Sequence, residues 1–257
     1  MKRMLLIRRR LWAMAVLTVA LLSPEVQATP WEQTYDEQGI RVWRRKIEGS
    51  SIIEFRGETV VKAHIKDVLA VIIDHDHRDE WMERLKYHKV IRLYSDTHAL
   101  IYGQLDSGFP LVQDRDVVVD ASITLKPDKR QVVAEFLSVE DENIPPRDGF
   151  IRMPKLTGKW ILTADNPMKT QVIYEAYGDP GGWIPAWVTN IISRKLPLWT
   201  LVNLRKLIGQ PMFAKTAARM AKLTDWRIYT LGEKSTADHA TEKTVSPTQE
   251  LPIPMSP

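Results

Sequence analysis

The ten residues from Asp116 to Leu125, DVVVDASITL, alternate in character. Val117, Val119, Ala121, Ile123 and Leu125 fall on one face of an extended chain, and Asp116, Asp120, Ser122 and Thr124 fall on the other. Successive side chains of a strand point to opposite faces, so the segment reads as a β-strand with one dry and one wet side. Seven further runs are rich in β-branched and aromatic residues and bounded by turn formers: IRVWRRKI from Ile40, SIIEFRGETVV from Ser51, YHKVIRLY from Tyr87, HALIYGQL from His98, QVVAEFLSV from Gln131, GKWILT from Gly158 and TQVIYEAYG from Thr170. Short connections without helical crossovers make antiparallel neighbours the expectation.

Two stretches change period. HIKDVLAVII, from His64, places Ile65, Val68, Leu69 and Ile72 at helical spacing and then breaks into the polar DHDHRDE. A longer helix is expected from near Trp183, with Pro185 in its first turn and an apolar stripe of Ile184, Trp187, Val188, Ile191, Ile192 and Leu196. Pro197 should kink it or divide it in two; LWTLVNLRKLI then runs to Gly209, and MFAKTAARMAKL adds a further helical stretch after Pro211. Strands followed by helices, without repeats, give an α+β domain over residues 29–230.

The ends read differently. Lys2, Arg3 and Arg8 to Arg10 precede the apolar run LWAMAVLTVALL, and the small residues Val26 and Ala28 suit cleavage after Ala28, so residues 1–28 are expected to be a secretory signal peptide. The run is short for a membrane-spanning helix, which needs roughly 20 apolar residues. These residues carry five basic side chains and one acidic one, the whole formal charge of +4. The exported remainder is then neutral, and the basic character that would suggest a nucleic acid leaves with the leader. No cysteine is present, so no disulfide framework operates and stability must come from one sizeable core. Residues 231–257, rich in Thr, Ser, Pro and charge, are expected to be a disordered tail. The mature chain is lopsided: Gly181 to Thr224 holds seven basic residues and no acid, while Asp96 to Phe150 holds eleven acids and five bases.

Candidate chemistry is sparse. Asp74, His75, Asp76, His77, Asp79 and Glu80 are metal-ligand types, but they crowd the end of a helix with no distant His-rich partner, which favours a solvated helix end over a metal site. No Gly-x-Ser-x-Gly elbow and no recognisable nucleophile grouping occurs. Asp114, Arg115 and Asp116 sit on alternating faces of a strand, which suits an ion pair better than paired acid and base. GDPGGW from Gly178 lacks the strand–turn–helix fingerprint of a dinucleotide loop and reads as a hinge before the long helix. Trp81, Trp160, Trp183, Trp187 and Trp199 supply apolar mass for a core or for a small-molecule cavity. No cofactor or metal is expected.

RDEW from Arg78, QDRDVVV from Gln113, PPRDGFIRMPKLTGKWILT from Pro145 and DPGGWIPAWVTNIISRKLP from Asp179 together resemble the START family, the steroidogenic-acute-regulatory-protein-related lipid-transfer domains, over roughly residues 35–207. The resemblance implies a helix-grip fold, in which a curved antiparallel sheet wraps a long C-terminal helix around a cavity for one lipid. It implies wall residues Tyr102, Val117, Val119, Ala121, Ile184, Trp187, Val188 and Ile191, and a gate at Phe109, Leu111 and Trp183. Sterol-binding relatives carry an acid and an arginine facing each other in the tunnel; an ungapped carry-over puts these at Tyr102 and Ala121, neither of them charged. The expectation is a periplasmic lipid carrier or sensor without enzymatic activity, making transient contact with a membrane surface through its basic helix and lid, and binding no nucleic acid. A helix-grip cyclase or hydrolase, using Tyr102, Tyr174 or a histidine as acid or base, is the alternative.

Overall fold

A computed structural model describes residues 29–46, 53–184 and 186–229; the leader and tail expectations lie outside them, as do the side chains of Trp187 and Ile191. Ten strands, β1 (Glu32–Glu37), β2 (Ile40–Lys46), β3 (Ile53–Val61), β4 (Leu85–Ser95), β5 (His98–Leu105), β6 (Asp114–Lys126), β7 (Gln131–Ser138), β8 (Phe150–Arg152), β9 (Lys155–Asn166) and β10 (Lys169–Asp179), form one sheet. Its order is β1-β2-β3-β10-β9-β7-β6-β5-β4, with antiparallel neighbours throughout, and the short β8 lies parallel to the start of β6. Three helices lie with it: α1 (Ile65–Ile73), α2 (Ala186–Leu207) and α3 (Ala214–Met220). All eight strands read from the alternation are present; β1 and β8, short and largely polar or partly exposed, carry no such signal.

The register lines up rows of side chains on the inner face. Leu125, Val132, Leu162, Val172, Thr59 and Ile40 form one row across six strands, and all except the partly buried Leu125 are closed to solvent. Helix α1, whose Ile65, Val68, Leu69 and Ile72 are buried, packs over this end of the sheet. Its first turn is capped by His64, whose Nδ1 accepts from the backbone N–H of Lys66 at 3.1 Å.

Helix α2 is continuous through Pro197, which overturns the expected division of the helix there. The ring of a mid-helix proline costs about 3 kcal/mol locally. Packing offsets this, because Pro197, Leu201 and Leu204 are buried and the helix lies directly on β3 at Gly57, where an added Cβ would stand 2.7 Å from Leu201 Cδ1. The helix begins at Ala186, after the Gly181–Gly182 hinge, where both residues have φ +63°, a left-handed conformation that glycine adopts without strain. It ends two residues before Gly209, φ +83°.

Candidate functional site: an apolar cavity with a polar floor

Between the sheet, α1 and α2 lies a cavity of ≈ 730 Å³, within the roughly 300–1,000 Å³ common for small-molecule sites. Small residues make the room. The row Ala99, Ala121, Phe136, Gly158, Ala176 and Phe55 crosses six strands in register, and four of its six residues have at most a methyl group. The next row, Ile123, Ala134, Trp160 and Tyr174, is filled by two aromatic rings stacked at 4.0 Å and 5°. These rings line the cavity. Beyond them lies the solid row beneath α1.

Of the residues expected to line the space, Val117, Val119 and Ala121 on β6 and Ile184 and Val188 at the start of α2 do so. Tyr102 does not, and this is a correction. It pairs with Val118, so it shares the outer face with that residue while Ile101 and Gly103 face inward. Because the side-chain period of a strand is two, an alignment displaced by one residue moves a side chain through the sheet. On the outer face Tyr102, Leu100 and Val118 form a small buried cluster beneath Val139 and Ile144. There the Tyr102 hydroxyl donates to Asp116 Oδ2 at 3.1 Å, and Arg152 grips the same carboxylate through Nε (2.8 Å) and Nη2 (3.1 Å). Burial opposes ionisation of Asp116, but the bonds and charge of Arg152 outweigh it and hold the carboxyl below its ordinary range. The wet face expected at this end of β6 is therefore covered, and the ion pair expected among Asp114–Asp116 is made instead with partners distant in sequence, Arg152 and Lys86.

Arg115, the inward neighbour of Asp116, is buried and spends its donors on carbonyls: Nε on Pro180 (3.2 Å), Nη2 on Gly181 (3.1 Å) and Nη1 on Gln113. It ties the hinge before α2 to the start of β6. Next to it in sequence runs the loop between β5 and β6, where the gate is expected. Ser107 Oγ donates to the Val112 carbonyl at 2.6 Å, the Asp106 N–H donates to the Arg84 carbonyl at 2.8 Å, and the Arg84 guanidinium lies 5.6 Å from the Phe109 ring centre. Of the gate residues, Phe109 is half-buried, Leu111 is fully exposed with φ +67°, and Trp183 is 78% exposed.

The charged floor of the cavity escaped the sequence reading. The expected solvated helix end after α1 is closed at its first residue and turned inward at the next: Asp74 is 2% exposed, and the half-buried His75 lines the cavity. Asp74 accepts from Thr216 Oγ1 at 2.5 Å and from the His77 backbone at 3.0 Å, with His77 Nδ1 at 2.8 Å, so it fastens α1 to α3. Among the described residues no group of three or more His, Asp or Glu side chains has metal-binding geometry. Arg78, three residues on, points into the cavity; its Nη2 donates to the Ile72 carbonyl at 2.6 Å and its Nε is buried with no partner among the described residues. No carboxylate there lies within 4.0 Å of it. Burial pulls its pKa down to about 10, against the pull of Asp74 and Tyr174, so it stays a cation at neutral pH. Beside it, burial and the Arg78 charge lower His75 to about 4 and lower His88 as well, the two rings standing 6.0 Å apart. Tyr174 is pushed up by burial and keeps its proton. The floor thus sets the Arg78 cation beside two neutral imidazoles and a phenol in a mostly apolar cavity, with Arg219 also in its lining.

The START domain profile matches residues 12–198, well over half of the sequence. The chain belongs to the START domain family. The START chain is 31% identical to an uncharacterized protein of Pseudomonas aeruginosa, over 77% of its own length and 96% of the relative's. It is also similar to the crystal structure of a STAR-related lipid transfer protein fragment from Xanthomonas axonopodis, with 31% identity, a TM-score of 0.64, and coverage of 71% of this chain and 100% of that one. The phosphatidylcholine transfer protein of Mus musculus is 24% identical over 66% of this chain and 79% of its own. The fold is accordingly the helix grip, and the named relatives are lipid transfer proteins.

Proposed function

We propose that this START domain is a periplasmic lipid carrier or sensor that holds one lipid, its hydrocarbon along the β5–β7 wall and an anionic group against Arg78, and releases it chemically unchanged. One observation carries the reading: an apolar cavity of ≈ 730 Å³ is lined by Arg78, whose buried Nε has no hydrogen-bond partner and whose guanidinium makes no ion pair among the described residues. Hydrocarbon removed from water contributes about 25 cal/mol per Å². A buried charge without a partner is costly, and a phosphate or carboxylate gives it one, with charge-assisted hydrogen bonds. The likeness to the mouse phosphatidylcholine transfer protein supports a phospholipid as that ligand. The leader-like first 28 residues support export. The Gly108–Leu111 lid, with Leu111 bare to solvent, and the exposed Trp183 suit a gate that opens at a membrane.

Protein purified from its own host and sprayed natively should carry a stoichiometric lipid, identifiable by tandem mass spectrometry. Ala121→Arg, which fills the hollow row with a charged chain, should abolish retention while the far-ultraviolet circular dichroism spectrum is unchanged. Arg78→Met, similar in volume but neutral, should weaken retention of the same lipid by at least about ten-fold, the scale of one charged hydrogen bond. An empty wild-type protein, or undiminished lipid in Ala121→Arg, overturns the proposal.

A further inference from the structure

Strand β4 ends the sheet, and its other edge pairs with no strand among the described residues. Four of the large apolar side chains exposed on the described surface lie on it: Tyr87 (44%), Ile91 (40%), Leu93 (56%) and Tyr94 (47%). Interleaved with them are Lys86, Lys89 and Arg92, and the strand, LKYHKVIRLYS, contains no acid. Lys89 and Arg92 have no ion-pair partner among the described residues; Arg92 lies 5.8 Å from the centre of the Tyr94 ring, which stacks in turn on His98 at 4.5 Å. Tyr87, Lys89 and Arg92 stand opposite Gln104, Tyr102 and Leu100, on the outer face, and Leu85, His88 and Leu93 line the cavity.

The pairing of β4 with β5 slips three times, leaving Lys86, Ile91 and Tyr94 as extra residues with no partner opposite. Such bulges twist an edge and interrupt its ladder, which discourages addition of another strand. A second copy would also set Lys89 and Arg92 near their own like charges. Neither feature hinders a surface that offers phosphates to the cations and an interfacial layer to tyrosine rings, where Tyr, Lys and Arg are at home.

From this strand, and resting on the lipid-carrier reading above, we propose that the outer side of β4 is the docking surface for an anionic bilayer. Docking by β4 sets the membrane beside a wall of the cavity. It also brings an anionic field to Lys86, which holds Asp114 (2.8 Å) and Asp106 (3.6 Å) at the base of the lid loop, so arrival at the membrane and loosening of the lid use the same cation.

The test is co-sedimentation of the full protein with phosphatidylcholine vesicles, with and without phosphatidylglycerol, and native mass spectra of retained lipid from the same samples. Each basic side chain near such a surface is worth about a factor of five in affinity. The wild type should prefer the anionic vesicles at least about ten-fold, Lys89→Gln with Arg92→Gln should remove about twenty-fold, and Lys129→Gln, on the turn between β6 and β7, should change binding by less than about two-fold. Retained lipid without any vesicle preference overturns the docking surface and leaves the carrier reading standing. Vesicle preference abolished by the β4 pair, in a protein that holds no lipid, supports the surface and overturns the carrier. An equal loss from Lys129→Gln, or concentration-dependent dimers dispersed by the β4 pair, overturns the docking surface.

Discussion

Two rows of the same sheet, with five strands in common, differ in what they do. The row Leu125, Val132, Leu162, Val172, Thr59 and Ile40 is closed by α1 into a solid core. Two rows away, Ala99, Ala121, Phe136, Ala176 and Phe55 face the hollow, and Gly158 in the same row makes room for the Phe136 ring. Strand β6 contributes to both, Leu125 to one and Ala121 to the other. Interiors are close-packed, so a large side chain beneath a helix makes many dispersion contacts, whereas a wall residue has partner atoms on one side only. The difference teaches that stability and ligand capacity are carried by separate rows of one sheet, and each can be altered without the other.

Truncation in the solid row should show the largest effect. Leu162→Ala, at a wholly buried site, is expected to cost about 3–4 kcal/mol in urea unfolding with lipid content per folded molecule unchanged; an equal drop in lipid content would mean the rows are not separable. Next comes the outer face, where Asp116→Ala leaves Arg152 without its carboxylate and should cost about 3 kcal/mol, again without emptying the cavity.

The Asp74 fastening should show an intermediate effect with a pH signature. Burial opposes ionisation of Asp74, but hydrogen bonds from Thr216 and His77 win, so its folded pKa lies below the unfolded value. Its contribution is present above the ordinary carboxylate range and is lost as pH falls through the depressed folded value. The hydrogen bond to Asp74 raises His77, so that contribution is full below the ordinary imidazole value and fades as pH rises through the raised one. The melting-temperature difference between wild type and Asp74→Asn should therefore be greatest at about pH 5–6, shrink on both sides, and be worth about 1–2 kcal/mol at its maximum. A difference constant with pH would remove the charge from the account.

The smallest expected effect is at the wall of the hollow. Val119→Ala, at the cavity wall, should cost less than about 1 kcal/mol in the lipid-free protein, well below the cost of emptying a packed site, because the space beside it is already open. A cost as large as that of Leu162→Ala would mean that the cavity wall is packed as tightly as the core.

Much of the architecture was legible from local pattern. Alternation located eight of the ten strands, helical spacing located α1 and α2, and the paired glycines marked the hinge. Tyr102 was misplaced because an ungapped match along β5 has no way to register which parity faces inward; that is decided by Val118 across the strand pair. Arg78 is legible in RDEW as part of a motif and not as a cation in a cavity, because its want of an ion pair is a fact about distant segments: Ile72, His75, His88 and Tyr174 stand around it, and Asp74 acts on it only from beyond ion-pair distance.

By itself the sequence determined the period of each segment, the places where the chain turns, the absence of disulfide staples and the gathering of the net charge in the first 28 residues, since each depends on residues close together or on composition alone. Tertiary structure decided which dry face is packed and which is left open, that α2 runs unbroken over Gly57 despite Pro197, and that Asp74 is buried with its hydrogen bonds made while the Nε of Arg78, a few residues on, is buried with none. The physical reason is that burial and charge compensation are set by what lies across a gap, and the groups on the two sides of that gap come from segments up to 142 residues apart, as the Thr216–Asp74 bond shows.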